Sequence, residues 1–393
     1  MPLQLINYLA NTTPKSAVNS QGPCAVLSVN MTAMARVSLK EVYRFVKDCM
    51  IAVGSPAKAA DQVADLLVDA DKLGHRSHGL NRLERYVVDI KAGRCAPNNE
   101  MKIEKETAST AWINANNVLG ATSANYASDL AIKKAEETGI GWICTRASNH
   151  YGIGGYWAKK IASRGMIGMS FSNGSPLVAP TRSTKAALGS NPIAVCAPAL
   201  SSTGPFYLDI ATATVALGKL EMYRRRGKPL EPGWAAGPDG NETLDADLAI
   251  KSGSLLPLGG TEKSSGYKGF GLSALVDMLS GVLSGAQYAH HVPRWSPHET
   301  RPADLGHSFA ALDHKCFAPG FEERVSDCIS YWRQMTPSDP KYPVLAPGDL
   351  EKKSYAEADA TGVIVYIVAM LESYDVLANE LKVEPIERIK IMS

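Results

Sequence analysis

A switch in apolar period partway along the chain limits its folds more than any other feature. From Ser38 to Gly93 apolar side chains return every third or fourth position, the spacing of one helix face. The segment "SLKEVYRF" offers Ser38 as a cap with Glu41 three residues on, the capping-box spacing. In "SPAKAADQVADLLVDADKL", Ser55 is placed to cap and Pro56 suits the first helical position. Val63, Leu66, Leu67 and Ala70 then form an apolar stripe. After a break at Gly74, a third helix is predicted from Ser77 to Gly93. From Ile140 the pattern changes. "IGWICTR", "MIGMSFSN", "NPIAVCAPA" and "GPFYLDIATAT" are short apolar or mixed runs bounded by Gly, Pro, Asn and Ser, which read as strands. Further helical intervals are expected at 122–137, 156–164, 214–225, 271–281 and 366–381.

This alternation predicts a mixed α/β fold. The 393 residues exceed the size at which a single core usually stops growing, so two domains are expected. The predicted division is an extension over 1–35, a helical part over 36–115, a central mixed domain over 116–290, and a segment over 291–393 that returns to the first domain. The net charge of +2, with basic residues dispersed, gives no nucleic-acid footprint. The best apolar run, Val363 to Leu371, is nine residues, too short to cross a bilayer. Seven cysteines without a CxxC pair read as reduced thiols of a cytoplasmic protein. Before Glu41 the chain has no acidic residue, whereas Lys15, Arg36 and Lys40 are basic. That bias fits either a disordered extension or a cleavable mitochondrial targeting segment.

The chemistry concentrates in "GHRSHGLNRLERYV", Gly74 to Val87. On a helix, His78, Arg82 and Tyr86 would share one face, with Leu83, Val87 and Ile90 on a neighbouring apolar stripe. Arg82 could grip a carboxylate through two parallel hydrogen bonds, and His78 could exchange a proton, oriented or relayed by Ser77. The plain alternative is a solvated face on which Arg82, Glu84 and Arg85 form an ordinary ion network. His75 and His78 lack a Cys or Glu at metal-ligand spacing, so no metal site is expected.

"SNHYGIGGYW" places His150 between a predicted strand and a predicted helix, as an acid–base candidate or as a turn hydrogen bond. The strand–GxGxxG–helix unit of a Rossmann domain is absent, and so is a GxxxxGK[ST] loop. "FSNGSPLVAP", "LGSNPIAVCAP" and "DIATATVALGK" offer backbone donors and small hydroxyls instead. Thr212 and Thr214 would stand where a helix begins, to meet a phosphate or simply to cap. In "SSGYKGFGLSALVDMLSG", Lys268 could neutralise a phosphate or carboxylate, while Gly266, Gly269 and Gly271 could serve only for tight packing.

Taken together and in this order, these motifs resemble the type-2 malate/L-lactate dehydrogenase family, also called sulfolactate dehydrogenase-like, over residues 36 to 385. The resemblance implies a non-Rossmann two-domain fold in which the helical N-terminal part packs with the C-terminal segment beside a mixed-sheet cofactor domain. It implies an oxidoreductase using NAD or NADP, a homodimer, and interconversion of small 2-oxo and 2-hydroxy acids. Relatives also handle ureidoglycolate or cyclic imino acids. Ser77 and His78 match the family's serine–histidine pair, Arg82 its substrate-carboxylate arginine and Tyr86 the nearby tyrosine. His150 matches the second active-site histidine. Asp209 matches the aspartate opening the "DxATS" motif, which supports the serine–histidine pair in some members. Cofactor contacts are implied at Ser172, Asn173, Pro176, Asp209, Ile210, Ala211, Thr212 and Lys268. The chain departs from the family at "GSNP", where "GTNP" is usual, and at Ala213, where a hydroxyl is usual. A non-catalytic metabolite-binding protein on the same scaffold is the alternative of a different class.

Overall fold

A computed structural model describes residues 33–296 and 298–392. The predicted targeting or disordered extension lies almost wholly outside the described residues. Strand β1 (Met34–Ser38) runs into helices α1 (Leu39–Ala52), α2 (Ala57–Lys72) and α3 (Leu83–Lys91). The Ser38 hydroxyl caps α1 by accepting from the Glu41 backbone N–H, as predicted. The reciprocal half of the box does not form, because the Glu41 carboxylate is taken by Arg44 and by the Glu387 backbone N–H. Ser55 caps nothing: α2 starts after Pro56, and the Ser55 hydroxyl is buried without a partner.

Strands β2 (Lys102–Glu106) and β3 (Thr110–Asn114) lead through α4 (Gly120–Thr138) to β4 (Ile140–Ser148), α5 (Gly154–Ala162) and β5 (Ile167–Ser172). Then come β6 (Ile193–Ala197), β7 (Phe206–Ile210), α6 (Leu217–Arg225), β8 (Ala235–Ala236), α7 (Ala246–Ser252) and β9 (Ser254–Leu255). After α8 (Gly266–Asp277) the chain makes a π turn at Met278–Val282 and enters β10 (Leu305–Leu312). It ends with α9 (Phe321–Gln334), α10 (Asp349–Thr361), β11 (Val363–Ile367), α11 (Val368–Leu381) and β12 (Lys390–Met392).

A seven-stranded sheet has the order β2-β3-β4-β10-β5-β6-β7. Only β3 and β4 pair in parallel; the other neighbours are antiparallel. All but the last residue of β10 are buried, which fits a strand flanked on both sides and covered on both faces. Helix α4 packs on β4, α5 on β5, and the π turn on β10. A three-stranded sheet, β11-β1-β12, joins the two ends of the described chain. Sheet membership crosses the expected divisions at 116 and 291. Strands β2 and β3 join the central sheet from one side of the chain and β10 joins it from the other. One hydrophobic core runs from α1 and α2 through Ile143 and Phe309 to Leu371, so the helical layer and the sheet share it. A second, smaller core gathers Val178, Leu220, Leu230, Trp234 and Leu255 around β8 and β9.

Two predicted helices begin late. The run expected as helix from 366 opens as β11, whose Val, Ile and Tyr side chains suit a strand, and turns helical at Val368. The predicted third helix begins with a 3-10 turn at Leu80–Arg82 and becomes α-helical at Leu83. The cause is Asp71 at the end of α2. Its carboxylate accepts from the Leu80 backbone N–H at 2.9 Å and from the Tyr366 hydroxyl at 2.6 Å. The chain passes so close that a Cβ on Gly79 would lie 2.1 Å from Asp71 Oδ1. Residues 75–79 are therefore held in turns against α2. Burial pushes the Asp71 carboxyl up to about 6, a cost that its two donors offset only in part. Replacing Tyr366 by Phe removes one of those donors and should lower unfolding free energy by about 1–3 kcal/mol in urea denaturation. An unchanged midpoint and slope would contradict the bridge.

Candidate active site

Because residues 75–79 are turns, Ser77 and His78 project from the connection ahead of α3 and not from the helix. The predicted four-residue helical face of His78, Arg82 and Tyr86 therefore does not exist as such. The side chains meet all the same. Arg82 Nε donates to the Ser77 carbonyl at 2.6 Å, folding the turn back over the start of α3. Ser77 Oγ lies 2.8 Å from His78 Nδ1. The Tyr86 hydroxyl lies 2.8 Å from His150 Nδ1, and the His78 and His150 rings stack at 5.7 Å between centroids. Ser77, His78, Arg82, Tyr86 and His150 are thus one cluster, assembled from the α2–α3 connection, α3 itself and the loop after β4.

Trp295 completes this cluster. Its ring stacks on His150 at 4.6 Å and on Tyr86 at 6.3 Å, and it faces the Arg82 guanidinium at 5.5 Å. Its indole N–H donates to Asp89 of α3 at 2.8 Å, and its backbone N–H donates to the Ser175 hydroxyl at 3.0 Å. The residue sits in the turn-rich "VPRWSPHE" stretch, where no period marks it. Only its isolation as a large aromatic among turn formers could have drawn notice.

The electrostatics of the cluster are lopsided. Among the described residues no carboxylate forms an ion pair with Arg82, and the predicted network of Arg82, Glu84 and Arg85 is not formed; Glu221 of α6 acts on Arg82 only through space. Burial lowers the proton affinity of Arg82. It also pushes His78 down to about 3, helped by the Arg82 charge, and holds His150 well below the ordinary imidazole range. Two neutral, stacked imidazoles therefore lie beside a guanidinium that no described carboxylate pairs with, an arrangement that receives an anion. The tautomer of His150 follows from its partners. The Gly152 backbone N–H can only donate, and it points at His150 Nδ1 at 3.3 Å. Nδ1 is then the acceptor, and Nε2 carries the proton of the neutral ring.

The residues expected at a dinucleotide fall into two groups. Ser172 and Asn173 close the inner end of β5, both buried. The Asn173 side chain donates to the Gln287 carbonyl and accepts from the Gly306 N–H. Ser175, adjacent to Pro176, bonds the Trp295 backbone, which links this segment to the histidine cluster. Thr212 is not at a helix start, since α6 begins at Leu217. Its hydroxyl is fully buried and donates to the carbonyls of Ser190 and Asn191, so it ties two loops together. Asp209, on the edge strand β7 just ahead of Ile210 and Ala211, accepts from the Gly155 N–H at 2.7 Å. Its electrostatic neighbours are His75 and Glu351, and among the described residues it bonds neither Ser77 nor His78. Lys268 is exposed on the first turn of α8, above the Tyr267 ring. Gly266 and Gly269 beside it serve packing, because a Cβ on Gly269 would meet the Leu258 carbonyl oxygen at 2.0 Å, whereas one on Gly271 would meet nothing within 4 Å. In the "LGSNP" segment, Asn191 Oδ1 is buried and has no hydrogen-bond partner among the described residues, so a donor from a polar ligand fits there.

The profile of the malate/L-lactate dehydrogenase family matches residues 37–371. Malate dehydrogenase of Pyrococcus horikoshii is 42% identical over 297 residues, 75% of this chain and 81% of its own. The solved structure of malate dehydrogenase from Pyrococcus horikoshii OT3 superposes with a TM-score of 0.81 at 36% identity, covering 90% of this chain and 97% of that one. L-sulfolactate dehydrogenase of Methanothermobacter thermautotrophicus is 34% identical over 330 residues, 84% of this chain and 92% of its own. A (2R)-3-sulfolactate dehydrogenase (NADP(+)) of Chromohalobacter salexigens is 29% identical over 289 residues, 74% of this chain and 84% of its own. With a matched profile spanning most of its length and relatives of this similarity, the chain belongs to the malate/L-lactate dehydrogenase family and is an enzyme of the dehydrogenase class.

Proposed function

We propose that this dehydrogenase interconverts a small 2-oxo acid and its 2-hydroxy acid with NAD or NADP, acids of the malate or lactate type being its substrates. The observation that carries the reading is the half-buried Arg82 guanidinium, paired with no carboxylate among the described residues, beside the stacked imidazoles of His78 and His150. An arginine in that setting receives a planar carboxylate through paired N–H donors, and Trp295 covers one side of it.

Ser172, Asn173 and the segments around Pro176 and Ile210–Thr212 would hold the dinucleotide, whose nicotinamide would supply the hydride chemistry. The roles of the chain's own groups follow from their proton inventory. His150, neutral with its proton on Nε2, donates a hydrogen bond to the substrate oxygen and polarises the C2–O bond, as a neutral imidazole does well. Tyr86 and the Gly152 N–H hold it in that tautomer. His78 moves the proton. In the oxidation direction it is already neutral and accepts the hydroxyl proton as C2 loses its hydride. In reduction it must first be protonated. Burial is the main obstacle to that step, and a carboxylate on Arg82 favours it by cancelling the charge that adds to the obstacle. The proton then passes from His78 to the oxygen as C2 gains the hydride, and Ser77 steadies Nδ1 throughout.

We further assign a homodimer working in the cytoplasm. Leu275, Met278, Val282 and Leu283 leave an apolar strip exposed along α8 and the π turn, suited to a self-complementary interface. The six described cysteines are all free, which fits a reducing compartment.

The direct assay supplies NADH or NADPH with oxaloacetate, 3-sulfopyruvate, pyruvate or a cyclic imino acid, and follows absorbance at ~340 nm, the reduced nicotinamide band. Turnover of at least one 2-oxo acid is expected. Turnover of the imine alone moves the enzyme to imino-acid reduction, and neither turnover nor dinucleotide binding by the folded chain rejects the assignment. Arg82→Lys keeps the charge but not the fork, and should lower kcat/KM for the preferred acid by roughly 100-fold. An unchanged kcat/KM removes Arg82 from the substrate. Light scattering should read twice the 42.0 kDa chain mass, and a monomer mass at working concentrations contradicts the dimer.

A further inference from the structure

His307 lies in the middle of the central sheet and belongs to none of the sequence motifs that carried chemistry, yet both nitrogens of its ring are engaged. It is fully buried on β10, paired in register with Ser172 of β5. The pairing of β10 with β4 shifts between Leu305 and His307, a bulge of the kind that re-aims a side chain beside a site. Nδ1 of His307 lies 2.9 Å from Ser172 Oγ. Nε2 lies 3.0 Å from the Asn149 carbonyl and 3.0 Å from Ser148 Oγ. Tyr151 stacks on the ring at 4.5 Å with only 6° between planes. The residues on either side of His150 are therefore both held by His307, one through its carbonyl and one through its ring.

The hydrogen bonds have a direction. A carbonyl oxygen only accepts, so Nε2 carries a proton. Burial holds the imidazole down at about 4, so the ring is neutral and Nδ1 is left with a lone pair. The Ser172 hydroxyl has one proton and two acceptors in reach, His307 Nδ1 and the Asn173 carbonyl. Donation to Nδ1 satisfies the ring and leaves the lone pairs of the Ser172 oxygen for an incoming donor.

We propose that His307 is a positioning residue for the reaction: it locks the loop that carries His150 and the Ser172 hydroxyl of the dinucleotide segment into a single frame, so that the polarising imidazole and the cofactor contact keep a fixed relation. The inference rests on the function proposed above. It adds a requirement that the family motifs do not contain, namely that the two halves of the site are registered through a side chain touching neither substrate nor nicotinamide. A displacement near 1 Å of a reacting group is enough to lose about 100-fold in rate, which is the scale expected here.

The test compares wild type, H307F and H307Q by circular dichroism, thermal melting and steady-state kinetics with the preferred 2-oxo acid. Phe keeps a flat ring against Tyr151 but no hydrogen bonds; the Gln amide can still donate to the Asn149 carbonyl. H307F should lose roughly 100-fold in kcat with the acid KM within about 3-fold, since Arg82 is untouched, and H307Q should recover to within about 10-fold of wild type. An H307F kcat within about 2-fold of wild type, a loss confined to KM, or a Gln variant no better than Phe overturns the proposal. Where Phe prevents folding, H307Q decides alone: kcat lowered about 3- to 10-fold at constant acid KM supports the frame, and wild-type kinetics overturn it. A wild-type chain without turnover or dinucleotide binding overturns the underlying function, and that result is read before any variant is compared.

Discussion

A half-buried guanidinium that no carboxylate among the described residues pairs with is costly to maintain. Charges taken out of water without a partner cost several kcal/mol, and proteins retain them mainly where a ligand will supply the missing charge. Arg82 is such a group here, and its charge reaches both histidines of the cluster. Its charge helps to keep His78 and His150 neutral, its Nε closes the Ser77 turn, and its face is covered by Trp295. The frame around it is hydrogen-bonded on both sides. Asp71 and Tyr366 pin the turn from one side, and Asp89 and Ser175 hold Trp295 from the other.

Much of this was legible in the chain itself, but for unequal reasons. The strands came through as short apolar runs between turn formers, because buried strands need little else. The motif order identified the family, and with it the cluster of Ser77, His78, Arg82, Tyr86 and His150. The route from spacing to geometry was mistaken even so. A four-residue spacing suggested a shared helix face, whereas Asp71 holds His78 in a turn and the contact is made by the Arg82–Ser77 bond. A tertiary hydrogen bond overrode a local pattern that was otherwise sound.

What stayed hidden depended on partners distant in sequence. Thr212 looked like a cap, but the loop it ties begins at Ser190, and only the folded chain brings the two together. Asp209 looked like support for the serine–histidine pair, but its oxygen is spent on Gly155. Trp295 and His307 carried no local signal, since each earns its place from groups more than a hundred residues away. Strand β10 was assigned to a returning segment, although it completes the central sheet between β4 and β5 and so joins the histidine loop to the dinucleotide segment.

The central claim is that an organic carboxylate on Arg82 switches His78 from neutral to protonated. Calorimetric titration of oxamate, a non-reducible 2-oxo acid analogue, into the enzyme with reduced dinucleotide tests it when repeated in buffers of different ionisation enthalpy. Proton uptake per acid bound should rise as the pH is lowered from about 8 to about 6, and should fall in R82Q, which removes the charge that the carboxylate cancels, together with tight binding. Binding with no proton uptake at any pH, or with uptake untouched by that substitution, would contradict the account.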